Sequence, residues 1–292
     1  MGTLKHKNKS LTDMLLKAAI YLSAMIAVAL TLGIIIYLFV KGLHVVNWTF
    51  LSTVTSALKQ TTGILGNVFN TIYIIIITLF IATPLGVGAA IYLNEYAKPG
   101  KLISAVEFTT ETLSGIPSVI FGLFGLIFFG NVLGLGYSIL RGALTLSIMV
   151  LPLITRNTQE ALRTVPDSYR NGALGMGATK WYMIRTILLP SAMPGILTGV
   201  ILAVGRIVGE SAALLFTAGS GYMLPRFKEG LGENLVVLGK KALESGGTLT
   251  VELYLQMQNG KYENAFGIAC VLIIVVLAIN LLMKLIAKRM KG

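Results

Sequence analysis

The feature that most restricts this chain is a series of apolar runs, each about as long as a bilayer is thick. A helix needs about 20 mostly apolar residues to cross a hydrocarbon core of roughly 30 Å. Six stretches meet that requirement, at residues 18–40, 68–93, 103–129, 138–154, 193–218 and 265–286. The second holds Pro84 and Gly86, and the third is the most polar. A chain of 292 residues that is 55% hydrophobic and only 12% charged cannot hide this much apolar surface in a soluble core. Soluble-enzyme, disordered and fibrous classes are therefore excluded. The fold class expected is an all-α integral membrane protein with six transmembrane helices.

The net charge of +12 takes its meaning from that setting. On a soluble protein it would suggest nucleic acid. On a membrane protein it marks the loops that hold the topology, with lipid and not nucleic acid as the surroundings. Fifteen Lys and Arg lie in the N-terminal segment, the 98–101 link, the 156–185 link and the C-terminal tail, against eight in the alternate loops. This bias places both termini in the cytoplasm, as an even number of spans requires. The first run is long enough to span and no clean small-residue cleavage site follows it, so it reads as a retained signal anchor. The one cysteine, Cys270, and the two histidines, His6 and His44, are too few and too scattered for a disulfide framework or a metal site. The sequon Asn47-Trp48-Thr49 carries no weight on its own.

The link between the fourth and fifth spans, residues 156–190, is long for a connection yet patterned like structure. Asp167 and Ser168 follow Pro166 and can cap a helix. Gly175 and Gly177 can end it. Thr179 can cap a second short helix that would run to Pro190. From the residues alone, an interfacial hairpin that only connects two spans and a docking element weigh equally.

The order of residues in this link resembles a known signature. Ala173, Gly177, Ile187, Leu189 and Pro190 fall at the spacing of the Glu-Ala-Ala…Gly…Ile-x-Leu-Pro motif of ABC importer permeases, with Asn171 and Gly172 in place of the first Glu and Ala. Upstream stands Leu113-Ser114-Gly115-Ile116-Pro117-Ser118, and downstream Gly205-Arg206 and Gly209-Glu210-Ser211-Ala212-Ala213-Leu214-Leu215-Phe216-Thr217-Ala218. Together these resemble the PstA family, the phosphate-specific permeases of ABC importers. The resemblance implies a type I importer permease fold and a prokaryotic inner-membrane location. It also implies that the link is a coupling helix docking on an ATPase through Asn171, Gly172, Ala173, Gly177, Ala178, Ile187, Leu189 and Pro190. The chain would then divide into a cytoplasmic N-terminus (1–17), a first helix and external loop (18–64), a permease core (65–286) and a cytoplasmic tail (287–292).

Charges within the spans are the independent argument for a path. A charge at the bilayer centre costs at least about 2.5–3.5 kcal/mol, so it must face protein or water. Arg206 and Glu210 are four apart in the fifth run and are expected to share a small, polar helix face with Gly195, Gly199, Ala213 and Thr217. One reading is an ion pair that locks the helix to its neighbours. The other has Arg206 lining a path for an oxyanion, the role the resemblance implies, with Glu210 holding it and weakening its grip. Glu107 and Glu111 are four apart in the third span; Glu111 is expected to be the deeper, paired with Arg206 or a partner chain. Residues 114–118 mark a break whose freed N–H groups either face an anion or only make a kink. Arg141 is expected near the outer end of the fourth span, as an anion attractor or an interfacial anchor. The expected substrate path is thus Arg206, Glu210, Glu111, Ser114, Ser118 and Thr217.

No Gly-x4-Gly-Lys-Ser/Thr run and no nucleophile–base constellation occurs, so no catalytic residue, metal or cofactor is expected in this chain. By the resemblance, ATP and Mg are used by two partner P-loop ATPases, alongside a PstC-like second permease and an external phosphate-binding protein. The segment 219–264 would face outside and offer that protein a surface. The rival readings are a permease for molybdate, sulfate or phosphonate, and a membrane sensor or scaffold that transports nothing. A secondary transporter is less favoured, because the halves show no inverted repeat.

Overall fold

The computed structural model describes residues 11–56, 61–98 and 100–289. Expectations placed on Lys5, His6, Lys7, Lys9, Lys59 and Lys291 lie outside the described residues. Nearly all described secondary structure is helical. Helix α1 (Leu11–Gly42) is followed by a short α2 (Trp48–Ser52) and an antiparallel pair, β1 (Val54–Ser56) and β2 (Thr61–Ile64), with Val54 opposite Ile64. The sequon asparagine has a local task there: its Oδ1 caps α2 by accepting from Phe50 N at 2.8 Å.

The bundle proper begins with α3 (Leu65–Ile91), which continues as a wide π turn over Tyr92–Tyr96. Then come α4 (Lys101–Gly115) and α5 (Ser118–Gly125, extended by a π turn over Leu126–Val132). Helix α6 (Ile139–Arg163) leads into a hairpin of α7 (Asp167–Gly175) and α8 (Lys180–Met183). A π turn over Ile184–Leu188 then joins α8 to α9 (Leu189–Val208). After α10 (Ala212–Thr217), α11 (Leu231–Ala242) and α12 (Leu249–Gln258), the described chain closes with α13 (Tyr262–Arg289).

Five of these helical stretches are long and apolar enough to cross a membrane, and α4 with α5 makes a sixth if the bent pair counts as one span. The pair bends by 102° at the break between Gly115 and Ser118. It still runs the length of α6: Glu107 faces Arg163 near the end of that helix, and Gly130 in the π turn that ends α5 lies against Arg141 near its start. One crossing, and six in all among the described residues, is the count that fits this packing. The expected break at residues 114–118 is therefore present. Proline fixes φ, removes a donor and disfavours helix in the residue before it, which is why α4 stops at Gly115.

The fifth span differs from its expected bounds in two places. The helix does not stop at Pro190 but runs continuously from Lys180 to Val208. The π turn before the proline supplies the reason: Leu189 N reaches back to Ile184 O, so the wider turn makes room where a regular turn would clash. At the other end the helix finishes at Val208, and Gly209, Glu210 and Ser211 separate it from α10. The run expected to continue to Ala218 is thus two helices.

The core lies among α3, α6, α9 and α10. Ile74, Leu146, Val150, Ile154, Ala203, Val204, Ile207 and Leu214 are buried together there. Small residues set the spacing. A Cβ on Gly199 would stand 2.6 Å from Asn157 Cβ, and one on Gly122 would stand 2.8 Å from Ala213 Cα, so α9 meets α6, and α5 meets α10, at backbone contact. A second cluster of Ala161, Leu162, Val165, Met183, Ile184 and Leu188 seats the α7–α8 hairpin against the end of α6. In contrast, α1 touches chiefly α13 and is exposed along its length, as a lipid-facing helix would be.

Candidate functional site

The expected path residues do not all lie on one surface. Arg206, in the last turn of α9, is exposed, in one stripe with Thr198, Leu202, Gly205 and Gly209. Among the described residues no ion pair or hydrogen bond holds its guanidinium. Glu210 lies the other way. It is 7% exposed, its Oε1 accepts from Ala213 N at 2.9 Å, and its carbonyl accepts from Thr250 Oγ1 at 2.9 Å. The shared face expected for Arg206 and Glu210 is overturned, because the helix ends between them. Glu210 caps α10, where the helix dipole favours a carboxylate, and it does not hold Arg206.

Thr217 is likewise interior: fully buried, its hydroxyl donates to Ala213 O at 2.7 Å. Glu111 is exposed and pairs with Arg156, Oε1 to Nη2 at 3.4 Å, not with Arg206. Ser114 is exposed and donates to Glu111 O at 2.7 Å, while Ser118 is half-buried at the first position of α5. So Arg206, Glu111 and Ser114 are open to surroundings, whereas Glu210 and Thr217 belong to the chain's own packing.

Arg141 also departs from expectation. It is neither an anion attractor nor an interfacial anchor, being only 2% exposed in the first turns of α6. Its Nε donates to Thr217 O at 2.7 Å and its Nη2 to Phe216 O at 2.8 Å, with the guanidinium 4.4 Å from the Tyr137 ring centroid. It satisfies carbonyls at the C-terminal end of α10, which have no partner within the helix. Nothing in the local sequence signals this, because the partners lie 75 and 76 residues away.

Near the hairpin end of α6 lies a cavity of about 310 Å³, lined by Glu107, Thr110, Glu111, Arg156, Gln159 and Arg163 among others. The pairs Arg156–Glu111 at 3.4 Å and Arg163–Glu107 at 4.0 Å cross it and clasp α4 to α6. All four side chains are more than half exposed, so each pair contributes about 0–1 kcal/mol. Sequence reading placed the two glutamates but not their partners.

The hairpin forms where it is expected, with one of its two expected caps in place. Thr179 accepts from Tyr182 N at 3.3 Å, and Gly177 takes φ +84° at the turn, a conformation that glycine adopts without strain. Pro166, not Asp167 or Ser168, occupies the cap position of α7, with no side-chain cap bond. Asn171 and Gly172 face outward, Ala173 and Ala178 are half-buried, and Tyr169, Leu174, Met176, Trp181 and Tyr182 are exposed. Ile187 and Leu189 are half-buried on the helix that enters α9, and Pro190 is exposed. The result is a knob that leaves these five large side chains uncovered by the described residues.

Residues 82–292 match the model of the family described as binding-protein-dependent transport system inner membrane component. The chain is 41% identical over 212 residues to the probable ABC transporter permease protein YqgI of Bacillus subtilis, covering 73% of this chain and 72% of that one. It is 38% identical over 178 residues to the phosphate transport system permease protein PstA of Xylella fastidiosa, covering 61% of this chain and 62% of the relative. A chain in the crystal structure of a bacterial alginate ABC transporter in complex with an alginate-bound periplasmic protein aligns with a TM-score of 0.62, at 18% identity, over 96% of this chain and 94% of its own.

Proposed function

The chain belongs to the family of binding-protein-dependent transport system inner membrane components, and from that premise we propose that it is the PstA-like permease subunit of an ATP-driven phosphate importer. The observation that carries this reading is Arg206, a permanent charge on the open face of a membrane helix, with no partner among the described residues. Left in lipid it would cost at least about 2.5–3.5 kcal/mol. A water-filled path between this chain and a second, PstC-like permease removes that cost. Phosphate carries one to two negative charges and several acceptor oxygens, and a guanidinium answers with parallel N–H donors while staying charged in any environment. An anion held by one unassisted arginine can also leave.

On this reading the α7–α8 knob docks on one of two partner ATPases, which bind ATP and Mg and do the hydrolysis. Their closure moves the knob, and the spans rock around Arg206 to open the path to the cytoplasm. The segment between α10 and α13 faces outside, where a phosphate-binding protein delivers the anion. Both termini are then cytoplasmic in a prokaryotic inner membrane. A different oxyanion remains the nearest rival, and a sensor that transports nothing is the more distant one. Uptake of radiolabelled phosphate, sulfate and molybdate at low concentration in cells lacking this gene separates them. Selective loss of phosphate uptake is expected. Loss of sulfate or molybdate uptake instead would reassign the substrate, and no loss of any would refute transport.

A further inference from the structure

A second charged centre lies away from the path, where the hairpin meets the spans. Arg170 is in α7, directly before the signature positions, and its side chain is 16% exposed; that of Glu95, in the π turn that ends α3, is 5% exposed. Nε and Nη2 of Arg170 both donate to Glu95 Oε1, at 3.3 and 3.1 Å. Nη2 also donates to Leu162 O at 2.8 Å. Nη1 donates to Val165 O at 2.7 Å and to Asp167 Oδ1 at 3.1 Å. Asn94 Nδ2 steadies the same Glu95 oxygen at 2.7 Å. Leu162 belongs to the last turn of α6, so one guanidinium joins the end of α3, the end of α6 and α7. The second arm of the hairpin fastens to the same residue, since Lys180 Nζ donates to the Glu95 carbonyl and sits 5.0 Å from the Tyr96 ring centroid.

Packing alone does not attach α7. The helix has no buried residue, and Ala173 is its one side chain resting against the cluster at the hairpin base. Its firm links to the bundle are these charged hydrogen bonds. Guanidinium is the group that can make them, because its fixed fork presents five donors at once, where an ammonium offers three around a point. A buried centre of this kind is also hard to break, since removing one member strands the other charge.

Resting on the permease reading, we propose that the Glu95–Arg170 centre is the joint that passes displacement of the coupling helix to the spans α3 and α6, both residues being positioning residues for coupling. Without the joint, the ATPases would still hold and move the knob, but the spans would not follow. The test uses the complete complex, with both permeases, the ATPases and the binding protein, in proteoliposomes, reading ATP hydrolysis and phosphate uptake together. Glu95→Gln keeps the shape and removes the charge, and Arg170→Lys keeps the charge and removes the fork. Both variants should assemble with the wild-type content of ATPase and keep hydrolysing ATP, while phosphate moved per ATP falls about tenfold, a typical coupling strength. An unchanged ratio overturns the inference. So does loss of uptake and hydrolysis in step with loss of assembled ATPase, which would mark a merely structural tie. If the wild-type complex moves no phosphate on ATP, the permease reading fails and takes this inference with it, an outcome visible in the wild type alone.

Discussion

Arg141, near the start of α6, and Arg206, in the last turn of α9, both lie in helices long and apolar enough to cross a bilayer. Arg141 is enclosed, with two carbonyls and an aromatic ring around its guanidinium. Arg206 has none of these and is exposed. The burial of the first accounts for its charge within the chain: it seals the end of α10 and needs nothing from outside. The second is left unaccounted for by anything the described residues supply. Arg156 stands between them, exposed but paired with Glu111. A charge type does not identify a function, but an unanswered charge at membrane depth calls for a partner beyond the chain.

The comparison is sharpened first at Arg141. Arg141→Met should destabilise the chain by about 3 kcal/mol, because buried carbonyls lose their donors. The effect should appear as a lower melting temperature in detergent, and any loss of uptake should follow the loss of folded chain. A folded Arg141→Met chain of normal stability that no longer transports would place Arg141 in the path instead. The smaller effect is at the exposed pair. Glu111→Gln should leave stability unchanged within about 1 kcal/mol and uptake within about twofold, as exposed ion pairs contribute little. Collapse of uptake would show that the α4–α6 clasp takes part in gating and is not a surface pair.

Much of the fold is legible because apolar runs of bilayer length leave a chain few alternatives. The spans of α1, α3, α6 and α13 fall near their expected places, and in the hairpin Thr179 and Gly177 are local signals that act locally. The misplacements have physical causes that local reading cannot reach. Pro190 reads as a stop until a π turn accommodates it. Gly209-Glu210-Ser211 reads as mid-helix until Glu210 turns inward to cap α10. Arg141, whose expected role was wrong, and Glu95 and Arg170, which were given none, take their meaning from partners far along the chain; Glu95 and Arg170 are 75 residues apart. Arg206 was legible as a charge in an apolar run, but the loss of its expected partner emerged only from the geometry.

The most direct measurement is phosphate uptake by complexes carrying Arg206→Gln, reconstituted with ATPase content and ATP hydrolysis measured alongside. Losing a charge-assisted contact to the moving anion should reduce uptake about a hundredfold, equivalent to about 2.7 kcal/mol, in a complex that still assembles. Wild-type uptake in the Gln variant would contradict the account, leaving Arg206 as a charge that the transported anion never meets.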